Sequence, residues 1–205
     1  MLNLIRYWFD QLKYEPSQAK ELLSLRQHIT KCKKETFDTQ EQILAKEMLQ
    51  LRREITTLLN EQPNTACSTC AKRHPLPTSL WNGGLCCSGK TANLFSDDEV
   101  ASLVASKIRK IVLTPPSNKQ AGCLFRGATG CSLSPDFRPN ICIYYMCRDL
   151  SKELSLNNRF KTIHQKGEQL QKKFQEFQET RKTRQDQIEL LKWEKEIERL
   201  LKKKK

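Results

Sequence analysis

The sequence predicts a mainly α protein: two long helices forming an antiparallel coiled-coil hairpin, with a small α+β cysteine-rich head inserted between them. Three observations predict it. Residues 17–60 contain neither proline nor glycine and repeat apolar residues in three- and four-residue steps. A second such run begins near Asn158, and eight of the nine cysteines fall between Cys67 and Cys147. The segments are then 1–62, a short helix and a long coiled-coil helix; 63–150, the head; and 151–205, a long basic coiled-coil helix.

The first element runs from about Asn3 to Tyr14, with Ile5, Trp8, Phe9 and Leu12 on one side, and Pro16 ends it. Ser17 is the expected N-cap of the first long helix. Its seam is Leu22, Leu25, Ile29, Cys32, then Leu44, Met48, Leu51, Ile55, Leu58, with the phase slipping near Thr36 and Phe37. In the head, Ser96 and Glu99 have capping-box spacing, and Val100, Leu103, Val104, Ile108 and Ile111 make one apolar face that Thr114-Pro115-Pro116 stops. Cys123-Leu124-Phe125, Gly127-Ala128-Thr129-Gly130 and Cys131-Ser132-Leu133 read as a short β-hairpin. The last helix carries Ile163, Leu170, Phe174 and Phe177. After the polar stretch Arg181–Gln187 come Ile188 and Leu191, and alongside them Leu190, Trp193, Ile197 and Leu200. Gly167 invites a kink, because glycine costs a helix about 1 kcal/mol relative to alanine. Two rods of similar length pair economically as a hairpin, each covering the stripe the other exposes; parallel pairing in a homodimer is the competitor.

Composition agrees with long helices: 38% of residues are apolar, 7% aromatic, and glycine and proline are few. The net charge of +13 is unevenly spread, since residues 151–205 hold 16 of the 36 basic residues and end in Lys202–Lys205. Such a surface attracts nucleic acid, acidic proteins or anionic lipid, although a solvated helix face with a lysine tail is the plainer reading. Arg6 and Asp10 interrupt the apolar residues of Met1–Tyr14, which therefore lack the pattern of a secretory signal. No stretch approaches the roughly 18 to 20 apolar residues of a membrane span. A soluble cytoplasmic protein is the expectation, and there thiols stay reduced and dense cysteines bind metal more often than they pair as disulfides.

The cysteines run Cys67-x2-Cys70-x15-Cys86-Cys87-x35-Cys123-x7-Cys131-x10-Cys142-x4-Cys147. The first spacing lets two thiolates on a tight turn converge on one ion. Neighbours Cys86 and Cys87 serve separate partners more readily than a strained ring. Cys123 and Cys131 bracket the hairpin, and Cys142 and Cys147 lie one helical turn or a loop apart. Eight thiolates saturate two four-cysteine zinc sites or two iron–sulfur clusters. Zinc suits a small head that needs a staple slightly better than an iron–sulfur cluster does.

The order of Cys67, Cys70, Cys86-Cys87, Gly122-Cys123-Leu124-Phe125, Gly130-Cys131-Ser132-Leu133, Arg138-Pro139, Cys142 and Cys147 resembles the zinc- or iron-chelating cysteine-cluster proteins called the CxxCxxCC family. The likeness covers the head. The 15 residues between Cys70 and Cys86 depart from that family, whose first cysteines lie close to the Cys-Cys pair. The resemblance implies metal binding without choosing zinc or iron–sulfur. Flagellin lysine methylases carry a similar cluster, but this chain has no glycine-rich cofactor loop to support methyl transfer.

Other candidates are weaker. His74 could replace a cysteine ligand; His28 and His164 lie on the rods as surface or seam residues, and Cys32 reads as a small buried hydrophobe. Arg138 either bonds near the metal ligands or is a plain turn arginine, and Tyr144 and Tyr145 face the cluster or the core. Asn82-Gly83-Gly84 and Ser88-Gly89-Lys90 lack phosphate-loop spacing. No Ser/His/Asp set or carboxylate pair stands out, so an enzyme is not expected. The expected function is a metal-stapled interaction module that meets a protein partner through its coiled coil. The alternatives are an iron–sulfur redox or metal-handling protein and a basic nucleic-acid or ribosome-associated factor using the C-terminal helix.

Overall fold

Proline both ends the first helix and opens the second. Helix α1 spans Leu2–Lys13, and α2, Pro16–Cys32, has Pro16 in its first turn and Glu15 as its N-cap, so Ser17 is inside the helix and caps nothing. Proline suits that position because its missing N–H would have no intrahelical partner there. The computed structural model describes residues 2–61, 91–107, 111–116, 123–127, 130–155 and 159–203, and these are mainly helical. An ion pair between Arg26 and Asp10, both largely buried, ties α1 to α2.

The single rod expected over residues 17–60 is broken. After Cys32 the chain leaves the helix and restarts as α3, Thr39–Asn60. The restart has a local cause: Asp38 Oδ1 accepts from the Glu41 N–H at 2.7 Å while Glu41 Oε2 accepts from the Asp38 N–H at 2.8 Å. This reciprocal capping box satisfies two backbone donors that a helix start leaves open. The phase slip near Phe37 is thus a helix boundary.

Farther on come α4 (Thr91–Leu94), α5 (Asp97–Ala105), β1 (Arg126–Gly127), β2 (Gly130–Cys131), a 3-10 turn at Pro135–Phe137, α6 (Ile141–Tyr144), α7 (Arg148–Ser155) and α8 (Phe160–Lys203). Helix α5 is shorter than its apolar pattern predicts. Ser106 caps its end and Lys107 takes a left-handed conformation at φ 58°, so Ile111 lies in irregular chain and Ile108 outside the described residues. The hairpin is antiparallel with Arg126 opposite Cys131 and Gly127 opposite Gly130. The Ser132 N–H extends the pairing to the Phe125 carbonyl at 2.8 Å.

α3 and α8 run antiparallel. Arg159 pairs with Glu61, Lys166 with Glu54 at 2.5 Å and Lys173 with Glu47 at 3.1 Å, seven residues down one helix for seven up the other. Ion pairs this exposed contribute at most about 1 kcal/mol each. The apolar contact beneath them matters more: Ile163, Leu170 and Phe177 are fully buried together with Met48 and Ile55, each such side chain contributing roughly 1.5–3 kcal/mol. Gly167 causes no break; α8 runs through it.

Two apolar clusters share α5 as their wall. Ala101 and Ala105 join α3, α6, α7 and α8 in one; Val100 and Leu103 join Leu22, Leu25, Ile29 and Cys32 of α2, with Phe95, Cys123, Leu124, Phe125 and Leu133, in the other. α5 turns Ala101 and Ala105 to one cluster and Val100 and Leu103 to the other, and it is enclosed between α2 and α3.

Candidate metal centre

Four of the eight expected ligands, Cys123, Cys131, Cys142 and Cys147, are described; Cys67, Cys70, Cys86 and Cys87, with His74 and both glycine-containing turns before Lys90, lie outside the described residues. Cys123 and Cys131 are free thiols, as is Cys32. Among the described residues no three His, Cys, Asp or Glu side chains converge as an ion-holding group.

Cys123 sits in the bend before β1, where its carbonyl accepts from the Arg126 N–H at 3.0 Å. The bend is tied down by Thr91, whose hydroxyl accepts from the Leu124 N–H at 3.0 Å and donates to Glu21 Oε2 at 2.8 Å. Burial pushes the Cys123 thiol up to about 12. The Phe125 N–H and Thr91 oppose that shift, while the nearby Cys131 adds to it. Such a thiol is neutral near pH 7 and ionises only if a cation takes the place of its proton. The Phe125 N–H is the kind of donor a thiolate ligand uses, and Cys131 is near enough to act electrostatically on the same sulfur.

Cys142 and Cys147 belong to a different wall. Cys142 is in α6, and Cys147 precedes α7, its Sγ accepting from the Leu150 N–H at 3.5 Å. Arg138 joins this stretch to the hairpin: Nε donates to the Leu133 carbonyl at 2.8 Å and Nη2 to the Cys131 carbonyl at 3.4 Å. The arginine of the Arg-Pro motif therefore grips the backbone of one expected ligand four residues ahead of another.

The next residues are held from beneath by side chains that the sequence reading did not single out for this role. Glu99 Oε2 accepts from the Asn140 N–H at 2.7 Å and from Asn140 Nδ2 at 2.9 Å, and Oε1 accepts from the Ile141 N–H at 3.2 Å. Ser96 still caps α5, accepting from the Glu99 N–H at 3.3 Å, but the Glu99 carboxylate turns inward instead of closing the capping box. Burial pushes Glu99 up to about 7, against the opposing pull of the Asn140 and Ile141 amides and of Arg52. Arg52, fully buried on α3, donates to the Arg138 carbonyl at 3.3 Å, and burial lowers its pKa to about 10. A charged residue four after Met48 and three before Ile55, within an apolar seam, was the signal available for Arg52.

His28 Nε2 lies 2.8 Å from Asp97, and His164 faces Glu168 one turn along α8. Cys32 is buried, its thiol pushed up to about 11 by burial and by Glu35. Tyr144 is half-buried against the first cluster, and burial, with Glu99 and Cys142, raises its pKa. No family model matches the chain, and neither a curated protein nor a solved structure matches it. Among the described residues no helix is long and apolar enough to cross a membrane.

Proposed function

We propose that this is a metal-binding interaction protein without a reaction of its own. In this reading the eight thiols of Cys67, Cys70, Cys86, Cys87, Cys123, Cys131, Cys142 and Cys147 hold zinc, or iron–sulfur in its place, and staple a cysteine-rich head. α3 and α8 form an antiparallel coiled-coil stalk through which a protein partner is met. The observation that carries it is the Arg138 bridge. Together with Glu99 and Arg52 it holds the Cys131 strand and the start of α6, which bears Cys142, in one fixed relation. Buried polar groups that position a stretch holding a cysteine make sense if that cysteine has a ligand to meet. The cysteine order and its resemblance to the cysteine-cluster proteins add support.

Elemental analysis and the visible spectrum of anaerobically purified protein test the reading. Colourless protein with about two zinc ions per chain is the expected result, since eight thiolates fill two tetrahedral shells. Brown protein with iron and sulfide transfers the ligand set to iron–sulfur. Cys67→Ser and Cys142→Ser should each lower metal content while Cys32→Ser leaves it unchanged. Equal metal in all three variants, or none in the parent, sinks the assignment.

A further inference from the structure

Helix α1 is built inside out. In α2, α3 and the first half of α8 the apolar stripe faces the fold, as it does in a surface helix of a globular protein. In α1 the side chains turned to the fold are polar: Asp10 is buried in its ion pair with Arg26, and Tyr7 is half-buried. Just past the helix, Tyr14 packs against the second apolar cluster and its hydroxyl donates to the Pro115 carbonyl at 3.3 Å. Leu4 (61%), Ile5 (55%), Trp8 (62%), Phe9 (60%) and Leu12 (72%) stand in solvent. At 3.6 residues per turn these five fill an arc of about 140°, centred roughly 160° from Tyr7 and Asp10. Turning α1 over to bury them would break the Asp10–Arg26 pair. The fold thus holds the apolar face outward.

Breadth and charge select what covers it. A helix–helix seam is a narrow stripe of two positions per heptad, whereas this arc carries five large side chains, with the Trp8 and Phe9 rings edge to face at 5.7 Å. A planar apolar medium meets the whole arc at once. Asp10 is the only acid of α1, and Arg26 neutralises it; the exposed charges of the helix are Arg6 and Lys13, which lie together along one edge of the arc. Residues 1–34 hold seven basic side chains against three acidic ones. Of those three, Asp10 is bound to Arg26 and Glu21 to Thr91, and Glu15 is the exposed one. Trp, Phe and Leu on one face with cations at its border is the pattern of a helix lying in the interface of an anionic bilayer. At 12 residues α1 is about 18 Å long, a length that rests on such a surface and does not cross its core of about 30 Å.

We propose that α1 is an in-plane membrane anchor: Leu4, Ile5, Trp8, Phe9 and Leu12 enter the boundary between headgroups and acyl chains, and Arg6 and Lys13 pair with anionic headgroups. α1 holds no cysteine, so lipid binding and metal content are separate readouts on one sample.

Flotation of the full chain with lipid vesicles tests the proposal. The chain should float with phosphatidylcholine vesicles that contain about one third phosphatidylserine, and bind at least about tenfold more weakly to phosphatidylcholine alone. Trp8→Glu with Phe9→Glu should weaken binding by at least about tenfold and leave the unfolding transition unmoved, because both rings are exposed. Arg6→Glu with Lys13→Glu should remove the preference for anionic vesicles. Brominated lipid should quench tryptophan emission in the parent and not in Trp8→Leu, which still floats. Failure to float, or equal binding to neutral vesicles, overturns the proposal. Flotation that survives Trp8→Glu with Phe9→Glu, or quenching that survives Trp8→Leu, moves the contact to another part of the chain and overturns it as well. A mass of twice 23.9 kDa without lipid, halved by Trp8→Glu with Phe9→Glu, would put a second copy on this face instead.

Discussion

The two halves of α8 are one unbroken helix with two fates. Up to Arg184 the helix buries Ile163, Leu170, Phe174 and Phe177 and pairs its charges with α3; beyond it, side chains as large and as regularly spaced stand in solvent. Apolar periodicity records that a helix has a face to bury and not which chain will bury it. What separates the halves is the length of the neighbour: 44 residues in α8 against 22 in α3. That mismatch originates at the Asp38–Glu41 capping box. Had α2 and α3 been one rod, it could have met the far half of α8 on the side of Ile188, but not on the side of Leu190, Trp193, Ile197 and Leu200.

The comparison is broken most directly at Phe177. Its side chain is fully buried between α3 and α8, so Phe177→Ala should destabilise the protein by about 3–5 kcal/mol in urea unfolding, the range for removing a packed aromatic ring. A loss below about 1 kcal/mol would mean that the α3–α8 contact does not hold the fold. Leu44, Met48 and Ile55 on α3 and Ile163, Leu170, Phe174 and Phe177 on α8 were legible because each set is a strong apolar repeat. The same repeat also marked Ile188 and Leu191, which are exposed, and Leu22, Leu25, Ile29 and Cys32, which pack in the other cluster. The interruption after Cys32 was legible only as a slipped phase, since Asp38 and Glu41 look like ordinary surface acids until their reciprocal bonds are seen. The same blindness applies at the candidate site. Cysteine spacing nominates candidate ligands, but Glu99 is written as a helix-cap residue, and only tertiary structure turns its carboxylate toward Asn140.

Glu99, on the helix that both apolar clusters share, gives the packed core a pH dependence. Burial raises its pKa to about 7, above the ordinary carboxylate value it has in the unfolded chain. Between those two values the folded state binds the extra proton, so this group's contribution to stability is fully present at the acid end and is lost as pH rises toward 7. The loss is at most roughly 3 kcal/mol. Unfolding free energies at pH 5 and 7.5 should show that fall in the parent and not in Glu99→Gln. Glu54, bonded to Lys166, and Asp136, bonded to Arg53, are shifted downward and act in the opposite sense at lower pH, in parent and variant alike. A parent and variant with parallel pH profiles would remove Glu99 as the cause.

Gly167 sharpens the packed half in the stabilising direction. It lies within the part of α8 that faces α6, and a Cβ built on it would stand 3.6 Å from the Tyr144 Cβ, an ordinary contact distance. Alanine therefore fits without displacing Tyr144, and it removes the entropy that glycine loses on entering a helix. Gly167→Ala should raise stability by about 0.5–1 kcal/mol, read as a higher urea midpoint at unchanged slope. A lowered midpoint would show that Tyr144 sits closer than ordinary contact.

The smallest effect is expected at the residue that looks most like a core side chain. Trp193 is the largest apolar group in the far half of α8, yet at 62% exposure it has almost no folded surface to lose within one chain. At concentrations low enough to keep chains apart, Trp193→Ala should change unfolding free energy by less than about 0.5 kcal/mol, the range for surface positions. Alanine is also the better helix former, so the segment's own helicity should hold or rise. A change of more than about 1 kcal/mol in the isolated chain would place Trp193 against some other part of its own molecule. The two halves of α8 would then differ only in degree of packing.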